Sequence, residues 1–345
     1  MALLGAMTIP GRAVLFYSTA DPAYNTTPPT GALADSGWQY EGSWRNYLGT
    51  AIAPHYFISA SHIGGAVGEV FVLNGVSYTT TALFDDPDTD LRIWRVCGAF
   101  PAYAPLYTAS NEVGKGIVDV GTGTQRGDPV TTAGNKNNGW HWGNNDGVRR
   151  WGENVVAKIV DFSTITSGLG QMLQMNFDAN GGANECDLST GDSGGGVFIK
   201  DGQVWKLAGI NYGITAQYRT SSNGDTFSAA IYDEGGLYRG AGSTFALVSD
   251  VSSPQPGGFY ATRISSRVAW INSVISAPVP PVLESASDLT GPYSDASGAL
   301  TDTNTATITL PVPEAQKFYR LRSECAPPLI IQINLTGSGL VISYR

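Results

Sequence analysis

Apolar residues in this chain arrive in short stretches cut by glycine, asparagine, aspartate and proline, and that spacing restricts it to folds assembled from many short strands. Leu91-Arg92-Ile93-Trp94-Arg95-Val96 alternates as a strand with one buried and one wet face would, and Tyr56-Phe57-Ile58 and Val197-Phe198-Ile199 are brief β-prone runs. With 43 glycines among 345 residues and only 14% charged residues, the composition suits β-sandwiches and barrels. No run approaches the length of a membrane-spanning helix, so no membrane span is expected.

Helical spacing appears at Ile264, Val268, Ile271 and Ile275, and the prolines of Ser276-Ala277-Pro278-Val279-Pro280-Pro281 end it and stiffen a linker. The organisation read from these shifts is a tail over residues 1–9, a large domain over 10–276, a linker over 277–282 and a module over 283–345. In the module, runs over 305–310, 317–321, 330–335 and 340–344 read as strands, with Gly337-Ser338-Gly339 as a hairpin turn. A net charge of −9 and the lack of a basic stripe disfavour nucleic acid as a partner. Cys97, Cys186 and Cys325 are an odd number at no metal-ligand spacing, so neither a disulfide framework nor a metal site is expected.

The chemistry-bearing stretch is Gly191-Asp192-Ser193-Gly194-Gly195-Gly196. A serine hydroxyl becomes a useful nucleophile only with a base beside it and backbone N–H groups aimed at the oxyanion that forms, and glycines let the chain turn tightly enough to present them. Taken alone, the same residues also fit a glycine-rich turn before a strand. Three histidines are available as the base. His62 closes a β-rich run with small residues before it. His55 follows Pro54 in a turn and reads as a surface residue, and His141 lies between Trp140 and Trp142 in a glycine- and asparagine-rich segment. A carboxylate that orients the imidazole is expected from Asp85, Asp86, Asp88 or Asp90. Asp90 directly precedes the strand-like run, and the other three fit an exposed acidic turn around Pro87.

The order His62, Asp90, Ser193 is that of the chymotrypsin-like serine proteases. Ile58-Ser59-Ala60-Ser61-His62 resembles the family's histidine motif, Asp90-Leu91-Arg92-Ile93 its aspartate motif and Gly191 to Gly195 its serine motif. Gly258-Phe259-Tyr260-Ala261-Thr262-Arg263-Ile264 followed by Val268-Ala269-Trp270-Ile271 is similar to the last strand and terminal helix of such enzymes. The resemblance implies an all-β fold of two six-stranded antiparallel barrels, over about 10–115 and 116–276, with a C-terminal helix. It implies a secreted or periplasmic monomeric endopeptidase acting on proteins or peptides without a cofactor. Leu289-Thr290-Gly291-Pro292-Tyr293 and Phe318-Tyr319-Arg320-Leu321-Arg322 resemble small β-sandwich modules appended to secreted bacterial enzymes, which read here as a spacer or cap.

Carried over residue by residue, the resemblance makes Ser193 the nucleophile, His62 the base, Asp90 its orienting partner, and the N–H groups of Gly191 and Ser193 the oxyanion hole. Asp187, six residues before Ser193, falls where trypsin-like members hold the acid that selects Arg or Lys, and Asn211, Tyr212 and Gly213 fall on the strand that contacts substrate. The long segment after Gly213, with Asp233 and Glu234, either lines that pocket, closes it, or carries solvated acids. Asp192 has a counterpart that pairs with a freed amino terminus, but Met1 to Thr8 offers no activation sequence and no intact signal peptide, so an internal cation or backbone N–H groups are expected to hold it. The family's disulfide at the histidine loop is missing, its positions being Tyr47 and Ile63. A Cys97–Cys186 bridge remains an alternative to Cys97 as a small core residue. A binding protein retaining the protease fold and an esterase using the same three residues are the rival readings.

Overall fold

The computed structural model describes residues 14–277, 280–311, 317–323, 325, 330–337 and 339–344. The expected tail over 1–9 lies outside them, as do Pro278 and Val279 of the linker and Ser338 of the expected hairpin turn. The chain divides into two compact units between Ile275 and Ser276.

Six strands close the first barrel: β1 (Glu41–Trp44), β2 (Tyr47–Ala53), β3 (Tyr56–Ala60), β4 (Val70–Leu73), β5 (Val76–Asp85) and β6 (Leu91–Val96). They run antiparallel in the order β1-β2-β3-β6-β5-β4. The interior is aromatic. Phe57 stacks on Phe71 with centroids 4.0 Å apart, Trp44 tilts against Trp94 at 4.6 Å, and all four side chains are sealed from water. Each such ring removes 150–250 Å² from solvent, which makes this cluster the main source of the barrel's stability.

The second barrel uses β7 (Gly116–Gly121), β8 (Arg150–Asp161), β9 (Gln171–Asn176), β10 (Gly196–Asp201), β11 (Val204–Ile214) and β12 (Gly258–Arg263), closed in the order β7-β8-β9-β12-β11-β10. Its connectivity repeats that of the first barrel. Aliphatic residues dominate its core, among them Val156, Leu173, Val197 and Ile199. Helix α1 (Val268–Ile275) follows, burying Ile271 and Val274. It starts later than the spacing from Ile264 suggests, because the Ile264 N–H is bonded to the Ala208 carbonyl and continues the sheet.

Two stretches differ from the sequence reading. The glycine- and asparagine-rich turns from Thr122 to Asn154 read in the sequence as long loops opening the second barrel, yet the segment contains a paired hairpin, Thr124–Thr132 against Lys136–Asn145. Glycine at 127 and 143 lets its strands approach where a Cβ would meet backbone at 2.9 Å, so residues that look like loop formers allow pairing instead. After Gly213, Ala229–Ile231 joins this hairpin, while Gln217–Arg219, Tyr238–Ala241 and Thr244–Leu247 form a sheet of their own.

The second unit places a three-stranded sheet (Ser294–Asp295, Val282–Ala286, Phe318–Arg322) and a four-stranded one (Leu300–Asp302, Thr307–Leu310, Gly339–Tyr344, Ile330–Thr336) around a small core of Leu283, Ala296, Ile308, Leu310 and Ile342. Among the described residues, no helix is long and apolar enough to cross a membrane.

Candidate active site

Register brings His62 and Asp90 together. Strands β3 and β6 are neighbours with Ala60 opposite Leu91, so residues just beyond the end of β3 lie beside residues just before β6. All of β3 is buried, and the chain leaves it through one tight turn, Ser61–Ile63. The Ser61 N–H donates to the Asp90 carbonyl at 2.7 Å, and the His62 N–H donates to Asp90 Oδ1 at 2.9 Å. Asp90 Oδ2 then lies 2.5 Å from His62 Nδ1. A carboxylate there makes Nδ1 the protonated nitrogen and leaves Nε2 as an acceptor. Nε2 is 2.9 Å from Ser193 Oγ.

The Asp90 turn is anchored by a group that the sequence reading placed on the surface. Asp86 is buried, accepts from Thr89 Oγ1 at 2.7 Å and forms a two-pronged ion pair with Arg267. Burial of this carboxylate is tolerated because the guanidinium neutralises it. Asp85 pairs with Arg92, and that hydrogen bond holds its pKa below the usual carboxylate value. Asp86 alone of the three is buried, and Asp85 and Asp88 are exposed.

Ser193 is held by its glycines. At Gly194, φ is +84°, and a Cβ would stand 2.3 Å from Ser59 Oγ and 2.6 Å from the Leu48 carbonyl, both of the first barrel. A Cβ on Gly195 would overlap the Val120 carbonyl at 2.0 Å. The serine turn is thereby pressed into the seam between the barrels. Among the described residues, the N–H groups of Gly191 and Ser193 have no hydrogen-bond acceptor, whereas Gly194 and Gly195 donate to Asn211 and Asp192 carbonyls. Two free donors flanking a serine are what an oxyanion site requires.

Asp192 is completely buried without a cation on its carboxylate. It accepts from the Ser189 N–H at 2.7 Å, the Gly123 N–H at 2.5 Å and Ser189 Oγ at 3.1 Å. Burial pushes its pKa up to about 7, against the opposing pull of these bonds and the Arg150 charge. Arg150 itself pairs with Asp146. Deeper in the same barrel, Asp119 and Asp187 have carboxyls raised well above the normal range by burial, with further contributions from neighbouring acids. Ser189, Gly123 and Asp119 are the supporting residues that sequence reasoning did not single out. Asp119, flanked by Val118 and Val120 in an apolar strand, is the one whose oddity is visible in the sequence.

The expected substrate residues separate into two groups. Asn211 is committed to the interior: its N–H bonds to Gly195, its carbonyl receives Gly194, and its Nδ2 reaches Asp119 Oδ1 at 2.7 Å. It therefore has no free backbone group for a substrate, a correction to the sequence reading. Tyr212 and Gly213 are at the surface. The Tyr212 carbonyl lies 3.4 Å from Ser193 Oγ, and the Tyr212 ring meets the His62 ring edge-on at 5.4 Å. Nothing lies within 4 Å of where a Cβ on Gly213 would stand. Asp187 is fully buried in a short pairing with Leu15–Phe16. Its Oδ1 accepts from the Leu188 N–H, and its Oδ2 has no partner.

Asp233 and Glu234 are not solvated loop acids. Asp233 is buried against Lys136 at 2.7 Å, and Glu234 bonds Arg239 at 2.8 Å and the Tyr218 hydroxyl at 2.9 Å. His55 is exposed and bonds the Gly98 carbonyl, and His141 packs on Phe227, both away from the serine. Cys186 is a free buried thiol, which excludes a Cys97–Cys186 bridge. Where the family's disulfide would tie the histidine loop, Arg45 Nη1 donates to the Ile63 carbonyl at 2.8 Å.

No protein-family model matches this chain, and no curated protein matches it. Among solved structures, it is similar to neuropsin, a serine protease expressed in the limbic system of mouse brain. The two are 15% identical with a TM-score of 0.42 over 70% of this chain and 96% of that one, an overlap too loose to carry any residue's role.

Proposed function

We propose that this protein is a serine endopeptidase. Ser193 attacks the scissile carbonyl while His62 Nε2 takes its proton. Asp90 holds the imidazole in the reactive tautomer and offsets the charge that develops on it, and the N–H groups of Gly191 and Ser193 receive the oxyanion. His62 then returns the proton to the leaving amine, and a water repeats the sequence on the acyl-enzyme. No cofactor enters these steps. The observation that carries the reading is the continuous chain from Asp90 Oδ2 to His62 Nδ1 at 2.5 Å and from Nε2 to Ser193 Oγ at 2.9 Å.

Peptides are favoured over simple esters because β10 pairs with β11 only as far as Ile210, so that among the described residues Tyr212 to Ile214 have a neighbouring strand on the β12 side alone, and an extended substrate can add as a strand on the other, beside the serine. Asp187 supports a preference for Arg or Lys before the cut. Its unpaired Oδ2 would gain a partner, and a cation would offset the burial that now raises its pKa. The carboxyl has no exposure, so this preference depends on displacement of what covers it.

The deciding test is labelling with a fluorophosphonate and mapping of the modified peptide. Label on Ser193, lost in Ser193→Ala along with about a millionfold of kcat, is the expected result. An intact, folded protein that takes no label at Ser193 is a binding protein and refutes the proposal.

A further inference from the structure

The two oxyanion donors, the N–H groups of Gly191 and Ser193, belong to peptides separated by a single peptide, which joins the Gly191 carbonyl to the Asp192 N–H. The Asp192 N–H donates to the Ser189 carbonyl at 3.2 Å and closes a four-residue turn over Ser189–Asp192. Gly191 is its third residue, with φ +103°, the sign a type II turn requires there. A type I turn over the same four residues differs chiefly in the direction of its central peptide, and that peptide carries the Gly191 N–H. Glycine accepts either sign of φ at similar cost, so residue 191 does not by itself keep its donor aimed where an oxyanion forms.

The restraint comes from the segment that follows β7. Thr122 Oγ1 donates to the Gly191 carbonyl at 3.0 Å in a buried contact, and no other described residue donates to that carbonyl. One residue on, the Gly123 N–H holds Asp192 Oδ1 at 2.5 Å, while Ser189 holds Oδ2 through its own N–H and hydroxyl. The Ser189 hydroxyl in turn receives the Thr124 N–H. Three successive residues thus grip the turn, and the fit is close: a Cβ on Gly191 would stand 3.1 Å from the Thr122 carbonyl. Thr122, Ser189 and Asp192 are all buried, so water competes little for these bonds. Only the Thr122 bond runs from a side chain to the peptide between the two donors, and it can be removed without touching Asp192.

We propose that Thr122 is a positioning residue for the oxyanion hole: by holding the Gly191 carbonyl, its hydroxyl fixes the peptide from which the Gly191 and Ser193 N–H groups diverge and keeps both pointed at one spot. This rests on the endopeptidase reading of Ser193, His62 and Asp90. Thr122 acts through Gly191 and touches no reacting atom, so its effect falls on the step in which charge develops on the carbonyl oxygen. A displacement of about 1 Å at such a site is enough for about a hundredfold in rate.

Thr122→Val keeps the shape of the side chain without the hydroxyl, and Thr122→Ser keeps the hydroxyl without the methyl group. In Thr122→Val, kcat on a peptide substrate is expected to fall about ten- to hundredfold with KM within about twofold of wild type, and Thr122→Ser should recover most of the loss. A peptide aldehyde is the second readout, because its adduct with the serine places an oxygen in the oxyanion hole. Its inhibition constant should rise by about the factor by which kcat falls. The acid limb of the kcat/KM profile, set by His62, should keep its midpoint. A merely structural role would lower the melting temperature of Thr122→Val while leaving kcat and aldehyde affinity as in wild type, and that result overturns the proposal, as does a change in KM alone. Circular dichroism checks folding. If Thr122→Val does not fold, Thr122→Ala also lacks the hydroxyl and is held to the same outcomes. Failure of the endopeptidase reading looks different: the wild type itself takes no fluorophosphonate at Ser193 and cleaves no peptide, and the role of Thr122 falls with it.

Discussion

Replacing Asp90 by asparagine isolates the electrostatic half of the proposed mechanism while leaving size and backbone unchanged. The two oxygens of Asp90 accept two different N–H groups of His62, the backbone N–H at 2.9 Å and ring Nδ1 at 2.5 Å, and asparagine has only one oxygen. If that oxygen stays with the backbone N–H, the amide NH₂ faces Nδ1, which must become an acceptor, and the ring proton moves to Nε2. The base is then blocked where it faces Ser193 Oγ. If the amide turns over, the productive tautomer is kept, but two donors confront each other at the backbone contact. An unsatisfied buried donor costs about 1–3 kcal/mol, and the charge that would stabilise the imidazolium is lost as well. Both arrangements point the same way, to a loss of about ten-thousandfold in kcat, or about 5 kcal/mol of transition-state stabilisation. The Ser61 N–H to Asp90 carbonyl bond involves backbone only, so folding should be preserved. Steady-state cleavage of a peptide substrate at mildly alkaline pH, alongside circular dichroism, makes the comparison. Activity within tenfold of wild type in a folded Asp90→Asn protein would refute the role given to Asp90 and, with it, the tautomer argument.

Three further outcomes are expected. Gly194→Ala must adopt φ +84° and clear Ser59 Oγ and the Leu48 carbonyl, so it should lose at least 1–3 kcal/mol in urea unfolding and about a hundredfold in kcat/KM; a wild-type-like variant would contradict the seam argument. Burial raises Glu41 and Asp192 to about 7 and Glu185 to about 8, so between roughly pH 4 and 8 the fold binds more protons than the unfolded chain; their stabilisation is complete below the unfolded values and is lost as pH rises through 7 to 8. The melting temperature should accordingly be higher at pH 5.5 than at 8.5, and Asp192→Asn should flatten that slope; a melting temperature that rises toward pH 8.5 counts against it. Asp187→Ser should lower kcat/KM for Arg and Lys substrates far more than for neutral ones, and cleavage-site profiling on denatured proteins that finds no Arg or Lys enrichment would remove Asp187 from substrate selection.

What the sequence made legible was whatever depends on local pattern. Alternation at Leu91–Val96 and the apolar run ending at Ala60 marked two strands of the first barrel, and because those strands are neighbours, the residues flanking them in sequence are neighbours in space. The glycines around Ser193 pointed to a constrained turn, although the reason for each, a first-barrel carbonyl at Gly194 and the Val120 carbonyl at Gly195, exists only after both barrels close. Charge was the least legible property. Asp86, Asp233 and Glu234 look like surface acids in isolation, yet each is buried because a cation far along the chain, or in the case of Glu234 close by, meets it: Arg267, Lys136 and Arg239. An acid's neighbours in sequence report its local conformation, whereas its solvation is decided by long-range packing. The same reasoning separates Asn211 from Tyr212. A strand inverts its side chains at every residue, so one position decides whether a polar group faces Asp119 in the core or the His62 ring at the surface, and only the register of β11 against β10 and β12 fixes which.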